Sequence, residues 1–428
     1  MLIVRCPGRL QGEEAEILDD REQGGDMAKY LIIGNGVAGN SAAETIRRLD
    51  AEAAVTIFSK SRHPFYYTPA LPEYLSGEKE LRRFTLHDFS WYEKNRVEFH
   101  PAEEVLSVDP AAKTVRTAAG RDYAYDRLLL ATGGRSVVPP LEGSGLEGVM
   151  TLRTVEDADR IRERAGISKK VVIVGGGLLG LEAGNGLRKL GLEVMVLVRS
   201  PRLLPRQMDE GGATLLQKQM ELMGFHFRLN RSVGRITAAE KALTVHLEKG
   251  ESITADMVLI SAGVYAEVAL AESLGLEVDR GVKVDDRMRT AIENVFAAGD
   301  VIEYRGRYYG IWPAAMAQGR IAGSNMAGRE TRYEGTVPSY TFKVAGINLV
   351  SMGDIDSQGK KESLLYVDGR KFVYRKIVLQ DGLITGAILY GDIRGSEEIQ
   401  GAIRSRRDIS PIKSLLGDPN ADFKKLFE

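Results

Sequence analysis

Two stretches of this sequence place glycine where backbone can hold an anion: GNGVAG, Gly34 to Gly39, and GGGLLG, Gly175 to Gly180. Each follows a short apolar run, KYLII or KVVIV, and leads into a segment with helical spacing, so the glycines fall where a strand turns into a helix. The chemistry that needs this arrangement is the binding of a dinucleotide pyrophosphate. Gly34 and Gly175 permit the tight turn, Gly36 and Gly177 let backbone approach a phosphate, and Gly39 and Gly180 let helix pack on strand. Val37, Ala38, Leu178 and Leu179 open the two helices, whose free N–H groups and positive dipole ends favour an anion. A single loop of this kind is also a common strand-to-helix corner; two in matching context imply two dinucleotides.

Further candidates stand where such units present side chains. The second strand of the first unit, AAVTIFS, ends in SKSRHP, with Lys60 and Ser61 where an acid commonly binds the adenosine ribose; the Ser61 hydroxyl can still reach a ribose oxygen. HPFYYTPALPEYLSGE reads as an ordered loop turning into a short helix, either a surface loop with buried tyrosines or a wall against a flat ring system. The apolar strand Arg127 to Leu130 follows a small β-meander and ends on Ala131, Thr132 and Gly133, small enough for close approach of a cofactor, and SVVPPLEG then reads as a linker. In the second unit the strand LEVMVLV ends at Val198 instead of the glutamate that selects NAD, and Arg199, Arg202 and Arg206 follow. Those arginines suit a ribose 2′-phosphate or are solvated loop charges; the sequence leaves both readings open. DMVLISAGV, with Gly263, closes this unit. Gly299 and Asp300 end the buried strand of TAIENVFAAGD, as a plain turn or as a carboxylate offered to a cofactor polyol. In IWPAAMAQGRIAGSNMAG, small residues at helical spacing allow tight packing, and Trp312 is either core or the lid of a flat ligand.

The scaffold these residues require is large enough to exist. At 428 residues the chain has length for two or three domains. Apolar content of 43% and charged content of 27% are those of a globular protein, and a net charge of −1 gives no general attraction to nucleic acid or to an anionic membrane. The one cysteine, Cys6, rules out an internal disulfide, a CxxC pair and a cysteine-ligated metal or iron–sulfur site within this sequence, and points to a reducing, cytoplasmic setting. No apolar run reaches the roughly 18 residues of a membrane helix. Residues 1–27, polar and acid-rich before the first strand, are expected to be a disordered extension. From about Thr331 the pattern changes to short alternating strands, TFKVAG, LLYVDG, KFVYRKIVL and LITGAILYG, followed by helices.

The ordered set GNGVAG, LLLATGG, GGGLLG, ISAGV and VFAAGD resembles the FAD-dependent pyridine nucleotide-disulfide oxidoreductases, over nearly everything from Lys29 onward. Within that group the aromatic loop is similar to that of rubredoxin reductases and of the flavin-binding N-terminal part of NAD(P)H nitrite reductase large subunits. The resemblance implies an α/β fold with two Rossmann-like dinucleotide-binding domains, one for FAD (28–141 with 266–330) and one for NAD(P)H (142–265), plus a C-terminal α+β domain (331–428). It implies FAD contacts at Gly34, Gly36, Val37, Ala38 and Gly39, at Ser61, Thr68 and Pro69, at Ala131, Thr132 and Gly133, and at Gly299 and Asp300. NAD(P)H contacts are implied at Gly175, Gly177, Leu178, Leu179 and Gly180, and at Glu182, Arg199 and Gly263. Glu182 matches a family glutamate near the nicotinamide and would act by position or charge.

Two departures bear on function. Family members that reduce disulfides or peroxides carry cysteine in the loop that here holds Thr68, Pro69 and Ala70, so no thiolate step is expected. The usual arginine of that loop is Thr68 and the usual acid near Ser61 is absent. The implied activity is hydride transfer from NAD(P)H to FAD, with electrons passed to a separate acceptor protein such as a rubredoxin or ferredoxin. Alternatives are an FAD/NAD(P)-coupling subunit of a larger iron–sulfur or metal-cofactor oxidoreductase, and a redox-sensing binding protein. The iron–sulfur and sirohaem modules of nitrite reductases are missing from this sequence, so nitrite reduction by it alone is not expected. A homodimer or a place in a complex is expected; a metal site, nucleic acid and membrane insertion are not.

Overall fold

A computed structural model of the chain describes residues 27–240, 242–344, 346–418 and 421–428. Cys6 and all of the expected extension except Met27 lie outside the described residues. Among the described residues, no helix is long and apolar enough to cross a membrane.

The two apolar runs that precede the glycine loops become the central strands of two parallel sheets. Lys29–Ile33 is buried from its second residue on, and Val171, Val172 and Ile173 are fully buried; such unbroken apolar strands are what a parallel sheet covered on both faces requires. In the first sheet the order is Val295–Ala297, Arg127–Leu130, Lys29–Ile33, Ala54–Phe58, Val97–His100. In the second it is Phe225–Leu229, Glu193–Val198, Lys170–Val174, Met257–Ile260, Val149–Thr151. Each central strand therefore has its sequence successor on one side and a strand reached much later on the other. The crevice for a ligand opens at the carboxyl end of such a switch point, and both glycine loops begin there.

The helix Val37–Leu49 leaves the first loop and packs against Trp312–Met326 almost backbone to backbone. A Cβ on Gly319 would lie 2.2 Å from the Ala38 carbonyl oxygen, and one on Gly323 would lie 2.6 Å from that of Ala42. The small residues of this second helix are what let it approach. Leading into the stretch expected as a linker, Gly134–Ser136 pairs antiparallel with Val264–Ala266, so the outgoing and returning chains form a two-stranded strap.

After Thr331 the chain builds a five-stranded antiparallel sheet, in the order Ser339–Val344, Ile347–Gly353, Leu383–Tyr390, Val373–Gln380, Glu362–Asp368. Ile347–Gly353 was not among the strands expected from the sequence. Its Ile347 and Leu349 face the second unit while Val350 and Met352 face the cluster around Ile399 and Ala402, so both faces are covered and the alternation that marks a half-buried strand is missing. Polar pins fix the docking: the Tyr374 hydroxyl donates to Asp209 at 2.6 Å and the buried Lys376 ammonium lies 3.1 Å from the same carboxylate.

Gly323→Ala should lower stability by about 1–3 kcal/mol or more, since the added methyl meets backbone that has nowhere to move. Gly401→Ala, within the helix Ser396–Ser405 and with open space at its Cβ, should be neutral or stabilising by up to ~1 kcal/mol. Thermal unfolding of the two variants beside the parent checks the contrast.

Candidate functional site

At the first loop Gly34 has φ +120°, and a Cβ there would lie 2.1 Å from the Ala131 carbonyl oxygen. A Cβ on Gly39 would lie 2.1 Å from the Gly34 carbonyl oxygen, whereas one on Gly36 would meet nothing within 4 Å. The second loop repeats the pattern. Gly175 has φ +126°, and a Cβ there would lie 2.1 Å from the Ser261 carbonyl oxygen; a Cβ on Gly180 would lie 2.5 Å from the Gly175 carbonyl oxygen, and one on Gly177 would meet nothing within 4 Å. The helices that follow, Val37–Leu49 and Leu178–Lys189, start without a side-chain cap and without an acid in the first turn. Val37, Ala38, Leu178 and Leu179 thus present N–H groups that no side chain satisfies, at the positive end of a helix, beside a glycine with room in front of it. These are the requirements of a bound pyrophosphate, met twice.

Around the first loop the structure gathers Ala131, Thr132, Gly133, Gly299 and Asp300. Ala298 N donates to Leu130 O at 3.1 Å, and a Cβ on Gly299 would lie 2.9 Å from that of Ala38, which brings Asp300 to the opening of the first helix. Thr132 is tied through its hydroxyl to the Glu267 carbonyl at 2.7 Å. Asp300 accepts from Arg153 Nη2 at 2.8 Å. Beside this pair the buried Tyr308 hydroxyl has no hydrogen-bond partner among the described residues, and burial pushes its pKa up. A buried hydroxyl left unmatched costs free energy unless something else meets it. It fits a pocket whose remaining polar groups come from a ligand.

Ser61, at the end of the Ala54–Phe58 strand, is not alone. Its hydroxyl donates to Glu156 Oε1 at 2.9 Å, and Glu156 belongs to the helix Val155–Ala165 of the second unit. Burial works against the charge on Glu156, but bonds from its own backbone N–H and from Ser61, with His63 alongside, hold its carboxyl below the usual range. Its other oxygen, Oε2, is buried without a hydrogen-bond partner among the described residues. Neither Arg153 nor Glu156 was singled out from the sequence. Both lie next to the capping box of Thr154 and Asp157, which marks a helix start but says nothing of what that start faces.

Phe65 and Trp312 stack at 5.7 Å with an 8° tilt, and Tyr67 meets Trp312 edge-on at 4.9 Å. Half-buried Trp312 is therefore one plate of an aromatic wall that also carries Thr68 and Pro69. Across it lies Glu182, from the second-loop helix. Burial pushes its pKa up to about 8, against a bond from the Lys343 backbone N–H and with help from the Glu73 charge. Its charge in turn raises the pKa of Tyr67, behind the larger effect of burial. The first glycine-loop unit, the second and the C-terminal sheet all reach this point; the Lys343 contribution comes through backbone and has no signature in the sequence. Arg199 stands exposed just past the Glu193–Val198 strand, and Gly263 follows the Met257–Ile260 strand with open space at its Cβ.

The family model described as pyridine nucleotide-disulphide oxidoreductase matches residues 28–319, and the rubredoxin NAD+ reductase C-terminal domain matches residues 338–407. The nitrite reductase [NAD(P)H] of Bacillus subtilis is 36% identical over 90% of this chain and 48% of its own length. The epsilon subunit of NADH-dependent phenylglyoxylate dehydrogenase from Aromatoleum evansii is 31% identical over 91% of this chain and 94% of its own. The chain thus spans about half of the first relative and nearly all of the second. Among solved structures, NADH:rubredoxin oxidoreductase from Clostridium acetobutylicum superposes with a TM-score of 0.76 at 27% identity, over 92% of this chain and 99% of that one.

A carboxyl group with a raised pKa takes up a proton on folding wherever the unfolded chain has lost it. Between the ordinary value of 4.5 and about 8, Glu182 should therefore make the fold less stable as pH rises. Glu182→Gln removes that proton linkage. Urea midpoints at about pH 5 and about pH 8 should fall less for the variant than for the parent; equal slopes would place the carboxylate in water.

Proposed function

The chain belongs to the pyridine nucleotide-disulphide oxidoreductase family, and on that footing we propose that it takes hydride from NAD(P)H onto FAD and passes electrons to a separate carrier protein of the rubredoxin or ferredoxin type. The observation that carries this reading is the duplicated cradle: two uncapped helix N-termini, each behind a glycine loop at the switch point of its own parallel sheet. Bound FAD supplies hydride acceptance and onward electron donation; the residues supply placement. We assign FAD to 28–141 with 266–330, NAD(P)H to 142–265, and 331–428 to a separate C-terminal domain.

In the first cradle the backbone at Gly36, Val37 and Ala38 holds the pyrophosphate, and Asp300, oriented by Arg153, accepts a hydroxyl of the flavin polyol. Tyr308 offers its unmatched hydroxyl nearby. Ser61 and Glu156 together take the place of the missing acid at the adenosine ribose: Ser61 positions Glu156 Oε1 and leaves Oε2 to accept. The wall of Phe65, Tyr67 and Trp312 keeps water from one side of the ring site. In the second cradle Gly177, Leu178 and Leu179 hold the nicotinamide dinucleotide. Glu182, kept neutral near pH 7 by burial, donates a hydrogen bond toward its amide without giving up the proton. The sequence has cysteine only at position 6, and no step needs a thiolate.

The match of the C-terminal part to a rubredoxin reductase domain supports a carrier-protein acceptor. A second reading, a coupling subunit of a larger oxidoreductase, is supported by the full-length likeness to the phenylglyoxylate dehydrogenase epsilon subunit. The purified protein separates them: brisk reduction of rubredoxin or ferredoxin by the free chain supports the first, and a stoichiometric partner that co-purifies supports the second.

Gly177→Val fills the open space before the second helix. The variant should keep bound FAD but lose bleaching of the flavin by either nicotinamide coenzyme, read by anaerobic absorbance. Loss of the flavin itself would reverse the assignment of the two cradles.

A further inference from the structure

We propose that the second cradle is shaped for a ribose 2′-phosphate, so that the coenzyme is NADPH; this rests on reading Gly175–Gly180 as the nicotinamide-nucleotide loop. The Glu193–Val198 strand lies parallel to Lys170–Val174, with Val174 opposite Leu197, which puts its end beside the loop. The chain then folds back over the glycines. Leu204 N donates to the Gly176 carbonyl at 3.1 Å, and a Cβ on Gly176 would lie 2.8 Å from Val198 Cγ2. Residues 198–206 thus line the position at which a unit of this kind holds the adenosine ribose.

The chemistry there is one-signed. Val198, 3% exposed, occupies the place of the acid that would bind both ribose hydroxyls and repel a phosphate. From Arg199 to Met208 the chain carries three arginines and no acid. The next carboxylate, Asp209, is already engaged by Gly212 N, the Tyr374 hydroxyl and Lys376. Arg202 is steadied by a bond from Nε to the Met208 carbonyl at 3.3 Å. Among the described residues no ion pair holds Arg199 or Arg206, and both are exposed. The adjacent strand end adds to the excess: Arg231, whose N–H donates to the Val198 carbonyl, shares Glu251 with Arg228, at 3.9 and 3.6 Å. Of these five arginines, Arg228 and Arg231 share one carboxylate, Glu251, and the other three lie on the loop that follows Val198. A phosphate monoester carries about −1.5 to −2 charge at pH 7, and a guanidinium meets it with paired N–H donors as well as charge. NADH presents only a neutral 2′-hydroxyl at the same position.

The test is calorimetric titration of the flavin-loaded full chain with adenosine 2′,5′-bisphosphate and, separately, with AMP. The bisphosphate should bind at least about tenfold tighter, the worth of one charge-assisted hydrogen bond, and its advantage should shrink as salt is raised. Arg199→Glu should abolish the advantage and Arg199→Lys should keep part of it. In parallel, sub-saturating NADPH should reduce the flavin faster than NADH. Equal binding of the two nucleotides, or tighter binding of AMP, overturns the 2′-phosphate site while leaving the cradle in place, which is what a merely solvated basic loop would give. Binding of neither removes the cradle and the proposal together.

Discussion

The structure depends on a steric condition stated twice: the carbonyl that ends a neighbouring strand must touch the first glycine of the loop. Ala131 O and Ser261 O occupy the volumes that a Cβ on Gly34 and Gly175 would fill. Because of that contact the strand can turn at once into a helix, and the helix begins with its N–H groups aimed at the crevice instead of at a capping side chain. Unsatisfied donors at a helix start are a liability in an ordinary fold. On the proposed reading they form the binding surface, and the packing elsewhere keeps them in place. The helix Trp312–Met326, with glycine at its two closest approaches, holds the first loop helix from behind.

The aromatic–proline segment joins the two halves. On one side it is pinned by a buried polar network: the Tyr92 hydroxyl donates to Asn35 at 2.8 Å and accepts from Phe65 N at 3.2 Å, and His87 bonds Asn40 at 3.0 Å. On the other, the Pro72 carbonyl lies close to Gly186 of the second-loop helix, and the Tyr74 hydroxyl donates to Asp159 at 2.6 Å. The wall of Phe65, Tyr67 and Trp312 is therefore positioned by both units, and Glu182 reaches it from the second. The C-terminal sheet adds the Lys343 N–H, which favours the charged form, so the raised pKa of Glu182 is a balance in which burial and the Glu73 charge outweigh that bond.

What could be read from the sequence was whatever is local. Glycine spacing after an apolar run announces a strand, a turn and a helix start within a dozen residues, and five such signals in order were enough for the architecture and the family. What could not be read was contributed across distance or by backbone. Glu156 meets Ser61 from 95 positions away, so the carboxylate beside Ser61 comes from the other unit and leaves no local signature. Lys343 acts through its N–H, which carries no residue signature. The strand Ile347–Gly353 is covered on both faces and so lacks the two-residue period that would have revealed it. Trp312, open between core and lid, is half-buried as one plate of the wall, a role that needs Phe65 and Tyr67 beside it.

On the proposed reading, the protein holds two dinucleotides and passes electrons on without a thiol of its own. Stoichiometric reductive titration of the flavin under anaerobic conditions, with the parent and with Cys6→Ser, tests this most directly. One equivalent of the reduced nicotinamide coenzyme per flavin should complete the bleaching in both, since the flavin is the sole two-electron store. A requirement for two equivalents, or a change on removing Cys6, would reveal a second redox group and contradict the account.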